Sequence, residues 1–132
     1  MRLYVALLCA SSCTLTPIPD VSSNWVAPCD TALRVCPLAF SKKTGMEQSV
    51  ELRGSFRDGG WQAGIPMDRV QDAWTTTLQV PWGASVQYKF FVDGQRWELD
   101  PANTQTVPDG AGNTNIIVRD VTCAKWTCRQ AQ

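Results

Sequence analysis

The sequence predicts an all-β domain, an antiparallel β-sandwich of immunoglobulin-like size. Three observations carry that expectation. Short runs alternate between apolar and polar residues with the two-residue period of a half-buried strand. Turn sequences separate these runs, at Asp58-Gly59-Gly60, Asp93-Gly94 and Asp109-Gly110-Ala111-Gly112. No segment offers a persuasive helical period.

The strands are expected in the following order. Leu38-Ala39-Phe40-Ser41 is a weak first strand. Residues 50–56 alternate cleanly, with Val50, Leu52 and Phe56 toward the core. Residues 74–80 alternate as well, with Trp74, Leu78 and Val80 on one face, and Pro81-Trp82-Gly83 ends the run. The strand from Val86 to Asp93 is the clearest. Val86, Tyr88, Phe90 and Val92 form an apolar face, and Gln87, Lys89, Phe91 and Asp93 form the opposite one. A turn at Asp93-Gly94 leads to a short strand at 96–99, and residues 114–119 make the last. Trp97 thereby falls across a hairpin from the face that carries Lys89.

The chain is expected to divide into a signal peptide (1–12), a tether (13–34), the sandwich (35–120) and a cysteine-containing tail (121–132). The N-terminus has a basic residue, Arg2, then a short apolar run to Ala10, then Ser11-Ser12-Cys13. That order is the pattern of an export signal, and the apolar run is too short for a permanent bilayer span. Four cysteines lie beyond it: Cys29, Cys36, Cys123 and Cys128. An even number in an exported small domain implies disulfides, and both local and crossed pairings remain open. Trp25 and Trp126 stand near these cysteines and are expected to cover them.

Composition excludes several functions. Lys+Arg 12 balance Asp+Glu 12 with no basic patch, so no nucleic-acid partner is expected. The absence of histidine removes the commonest general base and zinc ligand. No phosphate-binding loop is present, Asp109–Asn113 lacks the spacing of a calcium loop, and no cofactor is expected. Charged residues make up 18% of the chain against about 25% in ordinary domains, which fits a neutral ligand. Asp58, Asp93, Asp100 and Asp109 stand in turns, and Glu51 and Glu98 have no evident pairing, so the two facing carboxylates of a glycosidase are not seen. The chain is expected not to be an enzyme.

Two resemblances sharpen this reading. Ala10-Ser11-Ser12-Cys13 resembles a bacterial lipoprotein signal, which implies lipidation at Cys13 and a place in the cell envelope, with membrane contact only through that anchor. Residues from about Ser49 to Val118 closely resemble carbohydrate-binding module family 48 and the glycogen-binding domain of AMP-activated protein kinase β subunits. The resemblance is carried by residues 51–56 with Trp61, Pro66-Met67, Val80-Pro81-Trp82-Gly83, residues 87–95, Trp97, Asp100-Pro101 and Asn115-Ile116-Ile117. It implies an immunoglobulin-like sandwich of the early-set type that binds α-1,4-glucan, as polysaccharide or oligosaccharide. Tryptophans stacking on glucose correspond to Trp61 and Trp97, and hydrogen-bonding groups to Lys89 and Asn115, with Asn113 a nearby alternative. Two departures stand out: extra residues within 57–60 before Trp61, and Ala111 where a bulky loop residue is usual. They motivate a second expectation, a protein-interaction module that has lost sugar binding. A separate catalytic partner protein fits either expectation.

Overall fold

The computed structural model describes residues 30–129. The expected signal, lipidation at Cys13 and the Cys29 pairing therefore lie outside the described residues. A 3₁₀ turn at Thr31–Leu33 precedes ten strands: β1 (Arg34–Lys43), β2 (Val50–Gly54), β3 (Ile65–Pro66), β4 (Asp68–Val70), β5 (Ala73–Pro81), β6 (Val86–Val92), β7 (Arg96–Glu98), β8 (Thr106–Pro108), β9 (Thr114–Val118) and β10 (Thr127–Cys128). One sheet has the order β10-β1-β5-β4. The other has β3-β2-β6-β9-β8, with β7 also paired to β6. Every pairing is antiparallel.

The core forms where the alternating faces predict it. Val86, Tyr88, Phe90 and Val92 are all buried, opposite Val50 and Leu52 of β2, and Phe90 and Leu52 are fully sealed from solvent. Phe40 and Trp74 close the core from the other sheet, and Phe40 meets Tyr88 edge-on with ring centroids 4.8 Å apart. Tyr88 is long enough to end at a polar partner, and its hydroxyl donates to Asp100 Oδ2 at 2.7 Å.

Strand β1 is far longer than the four residues the sequence indicates. Its inward row ends on Lys42, a charged residue that breaks the apolar alternation. Lys42 Nζ reaches Glu47 at 3.7 Å and Glu98 of β7 at 3.3 Å, so the inward lysine ties the two sheets together. Glu47 is itself buried. It accepts hydrogen bonds from Gly45 N at 2.8 Å and Trp74 Nε1 at 2.7 Å. The Gly45 N–H above all, helped by Trp74 and Lys42 and opposed by burial, lowers its carboxyl from the usual 4.5 to about 2. Its contribution to stability is therefore whole above about pH 4.5 and is lost as pH falls toward 2. A scan of thermal midpoint against pH is expected to fall across that window. Glu47→Gln should flatten the fall, and an unchanged slope in the variant would refute this assignment.

The pairing of cysteines is crossed. Cys36 of β1 is bonded to Cys123, with 5.7 Å between Cα atoms, and Cys128 is also disulfide-bonded. The tail is part of the sheet: β10 pairs Arg34 with Cys128 and Val35 with Thr127, and Arg34 lies over the Trp126 ring with its guanidinium carbon 4.4 Å from the centroid.

Candidate functional site

The site is laid out by strand register. The outward row of β6 carries Gln87, Lys89 and Phe91. On one edge β2 places Glu51 across from Phe91 and Arg53 across from Lys89. The other edge of β6 is shared: β9 pairs along Val86–Tyr88, and β7 pairs along Phe90–Val92. Lys89 sits at the seam where one neighbour stops and the next begins. A cleft opens at that seam, lined by Trp61, Lys89, Trp97, Asp109 and Asn113. At about 290 Å³ it lies at the small end of ligand pockets, so a ligand lies across it rather than inside it.

Trp97 is delivered by the β6–β7 hairpin. Asp93 and Gly94 both take positive φ, at 53° and 65°, which reverses the chain tightly. Asp93 Oδ1 then accepts from Gln48 N at 2.7 Å and Ser49 N at 3.0 Å, pinning the turn to the strand beside it. Phe91 and Trp97 are register partners, with ring centroids 4.8 Å apart at 50°. Trp97 remains 46% exposed, while Glu98 turns inward to Lys42.

Trp61 is delivered by the loop after β2. Gly54 N donates to Gly60 O at 3.2 Å, and the backbones approach so closely that a Cβ on Gly60 would strike the Gly54 carbonyl oxygen. The extra residues before Trp61 are thus taken up in a closed turn, and the indole stays half-buried beside Trp97. Their centroids are 6.3 Å apart and their planes are tilted by 52°. Arg53 braces both. Its guanidinium carbon is 3.8 Å from the Phe91 centroid and 5.5 Å from that of Trp97, Nη1 donates to Trp61 O at 3.4 Å, and Glu51 balances its charge at 2.9 Å. Lys89 Nζ stands 6.0 Å from the Trp97 centroid and has no ion pair among the described residues.

Of the four residues singled out in the sequence, Trp61, Lys89 and Trp97 are brought together. Asn115 is not at the cleft surface. It is 6% exposed and donates through Nδ2 to Gln87 Oε1 at 3.0 Å. The reason is its position inside the sheet: β8 pairs Val107 with Asn115 on one side, and its amide is held on the other by Gln87 of β6. The alternative, Asn113, stands on the exposed β8–β9 loop and lines the cleft. In that loop Asp109 Oδ1 accepts from Ala111 N at 2.8 Å and Asn113 N at 3.0 Å, with Gly110 and Gly112 at positive φ. These N–H groups, Ala111 first, hold the Asp109 carboxyl below its usual range, and Lys89 adds to the effect. Arg53, Phe91 and Asp109 were not singled out in the sequence. The alternation alone puts Arg53 and Phe91 on this face, and only the folded loop brings Asp109 to it.

Among the described residues no group of side chains is arranged to hold a metal ion. The Asp109 carboxyl in the cleft is shifted downward, and so is Glu98 in the adjoining hollow beyond Lys89 and Trp97, chiefly by its 2.8 Å bond from Arg96.

Residues 37–123 match the family described as the glycogen recognition site of AMP-activated protein kinase. The chain is similar to 5'-AMP-activated protein kinase subunit beta-1 of Rattus norvegicus, 40% identical over 100 residues, and to that of Mus musculus, 36% identical over 100 residues. Each alignment covers 76% of this chain and 33% of the subunit, so the chain spans about a third of the length of these relatives. It is also similar to AA13 family lytic polysaccharide monooxygenase A of Aspergillus terreus, 29% identical over 112 residues, covering 74% of this chain and 27% of that protein. The match across both sheets and the tryptophan cleft shows that the chain belongs to the family of AMP-activated protein kinase glycogen recognition sites.

Proposed function

We propose that this chain is a non-catalytic module that binds α-1,4-glucan of the glycogen or starch type across the Trp61–Trp97 cleft. One observation carries the reading: two indoles, one exposed and one half-buried, 6.3 Å apart and inclined at 52°, stand beside a lysine with no ion pair among the described residues. A glucose ring presents C–H groups on its faces and hydroxyls around its rim. The indoles cover the faces, and removing that apolar surface from water drives association. Lys89 and Asn113 then supply directed hydrogen bonds to the rim, which offsets its desolvation. Platforms inclined to each other form a bent surface that follows a curved α-glucan better than a flat β-linked one.

The carboxyl in the cleft supports binding without cleavage: glycoside cleavage uses an acid whose pKa is raised, and the N–H groups of its own loop hold Asp109 below its usual range. The names of the matched relatives, a kinase subunit and a polysaccharide monooxygenase, support the further proposal that the module accompanies a catalytic partner protein. Export, with lipidation at Cys13 and a cell-envelope location, belongs to the same proposal. Its support is the pattern of residues 1–13 and the Cys36–Cys123 disulfide, a bond that persists in oxidising compartments.

The test is titration of the chain with a panel of α- and β-linked gluco-oligosaccharides, read by tryptophan fluorescence. Saturable change with maltoheptaose and none with cellohexaose is the expected result. A flat response to every glucan, with a protein co-purifying, would replace this reading by that of an interaction module.

A further inference from the structure

We propose that Asp109 is a ligand-contacting residue that accepts a hydrogen bond from a free secondary hydroxyl, so that the cleft selects unsubstituted glucan; this rests on the glucan-binding reading above. The cleft is otherwise rich in donors. Lys89 offers three and no acceptor, and indole N–H groups only donate. The Asn113 amide has one acceptor atom. A sugar hydroxyl is both donor and acceptor, so a face made of donors leaves its proton without a partner. Asp109 is the purely accepting side chain among the residues that line the cleft.

Its placement suits that role. Oδ1 is engaged by two backbone N–H groups of its own loop, which fixes the carboxylate before any ligand arrives. Oδ2 accepts no backbone hydrogen bond, and the neighbouring Asn113 side chain, which also lines the cleft, helps hold the carboxylate charged. Asp109 and Lys89 line the same cleft yet form no ion pair within 4 Å, which leaves both able to serve one hydroxyl: Nζ donates to its oxygen and Oδ2 accepts its proton. The pair adds no net charge, as a neutral ligand requires. Ala111, at the tip of the loop, carries one methyl group, so the polar reach of this loop belongs to Asp109 and Asn113.

The experiment uses the full chain, wild type and Asp109→Asn, titrated with maltoheptaose and with analogues deoxygenated at C2 or at C3. Asparagine keeps the Oδ1 acceptor that holds the loop and replaces the second oxygen by a donor. Wild type is expected to bind one deoxy analogue about tenfold more weakly than maltoheptaose, as loss of a hydrogen bond to a charged group implies. The variant should bind maltoheptaose more weakly and lose the discrimination between the two ligands. Wild-type affinities in the variant would overturn the assignment. So would an equal loss toward all three ligands, which marks Asp109 as a loop scaffold only. No response of wild type to maltoheptaose would remove the underlying glucan reading as well.

Discussion

Alanine at both Trp61 and Trp97 is expected to abolish measurable glucan binding while leaving the fold intact. Neither indole belongs to the buried core, and Trp97 is 46% exposed, so little packing is lost. Truncating a stacking aromatic at the centre of a contact costs about 2 kcal/mol or more, roughly a 30-fold loss in affinity. The two rings touch the same ligand and each other, so their effects should not simply add. Trp97→Ala alone should be the worse single change, because Trp97 bridges Phe91 and Trp61. Affinity electrophoresis through glycogen checks all three variants. Full retention of the double variant by the gel would remove the tryptophan cleft from the proposal.

The largest stability effect is expected from Cys36→Ala with Cys123→Ala. The bond closes a loop with a sequence separation of 87 residues. Releasing that constraint from the unfolded chain is worth at most about 4–5 kcal/mol in the chain-entropy account, and less while the bond at Cys128 stays closed. Domains of this size have about 5–15 kcal/mol in total, so the variant should sit close to its unfolding transition at room temperature. Cys36 is also wholly buried among Val80, Val86 and Val121, and the truncation leaves a gap there. Paired alanines are a cleaner test than reductant, which would also open the bond at Cys128. Urea unfolding is the measurement, and a loss below about 1 kcal/mol would show that the unfolded chain is already compact without the cross-link.

Much of this architecture was legible in the residues, and what was not has physical causes. The Val86–Val92 strand could be read with its faces because every inward residue is apolar. Trp61 and Trp97 could be placed by motif order. Strand β1 shows no clean apolar alternation over its length, because its inward row ends in Lys42, whose reason is a partner on the other sheet. Strands β3, β4, β8 and β10 have two or three residues each, too few for a period, and exist only because a longer neighbour pairs with them. What separates Asn113 from Asn115 is the β8–β9 register, which pairs Asn115 with Val107 inside the sheet and leaves Asn113 on the loop. Asp109 stands in a turn sequence, and its loop does use it so. Its second oxygen matters only once the loop lies beside Lys89.

The crossed sulfur bridge and the small β10 pairing have an architectural consequence. Arg129 N donates to Leu33 O at 2.8 Å, so the incoming and outgoing backbone run side by side. They do so near Trp82, whose N–H bonds to Arg34 O, at the Val86 end of β6. The Phe91–Trp97 pair lies five residues along that strand, about 17 Å away. Whatever is joined ahead of residue 33 or behind residue 129 departs from one shared stem, like a handle set opposite the rim of a cup. A larger assembly can therefore be joined from either side with the Trp61–Trp97 cleft left at the far end.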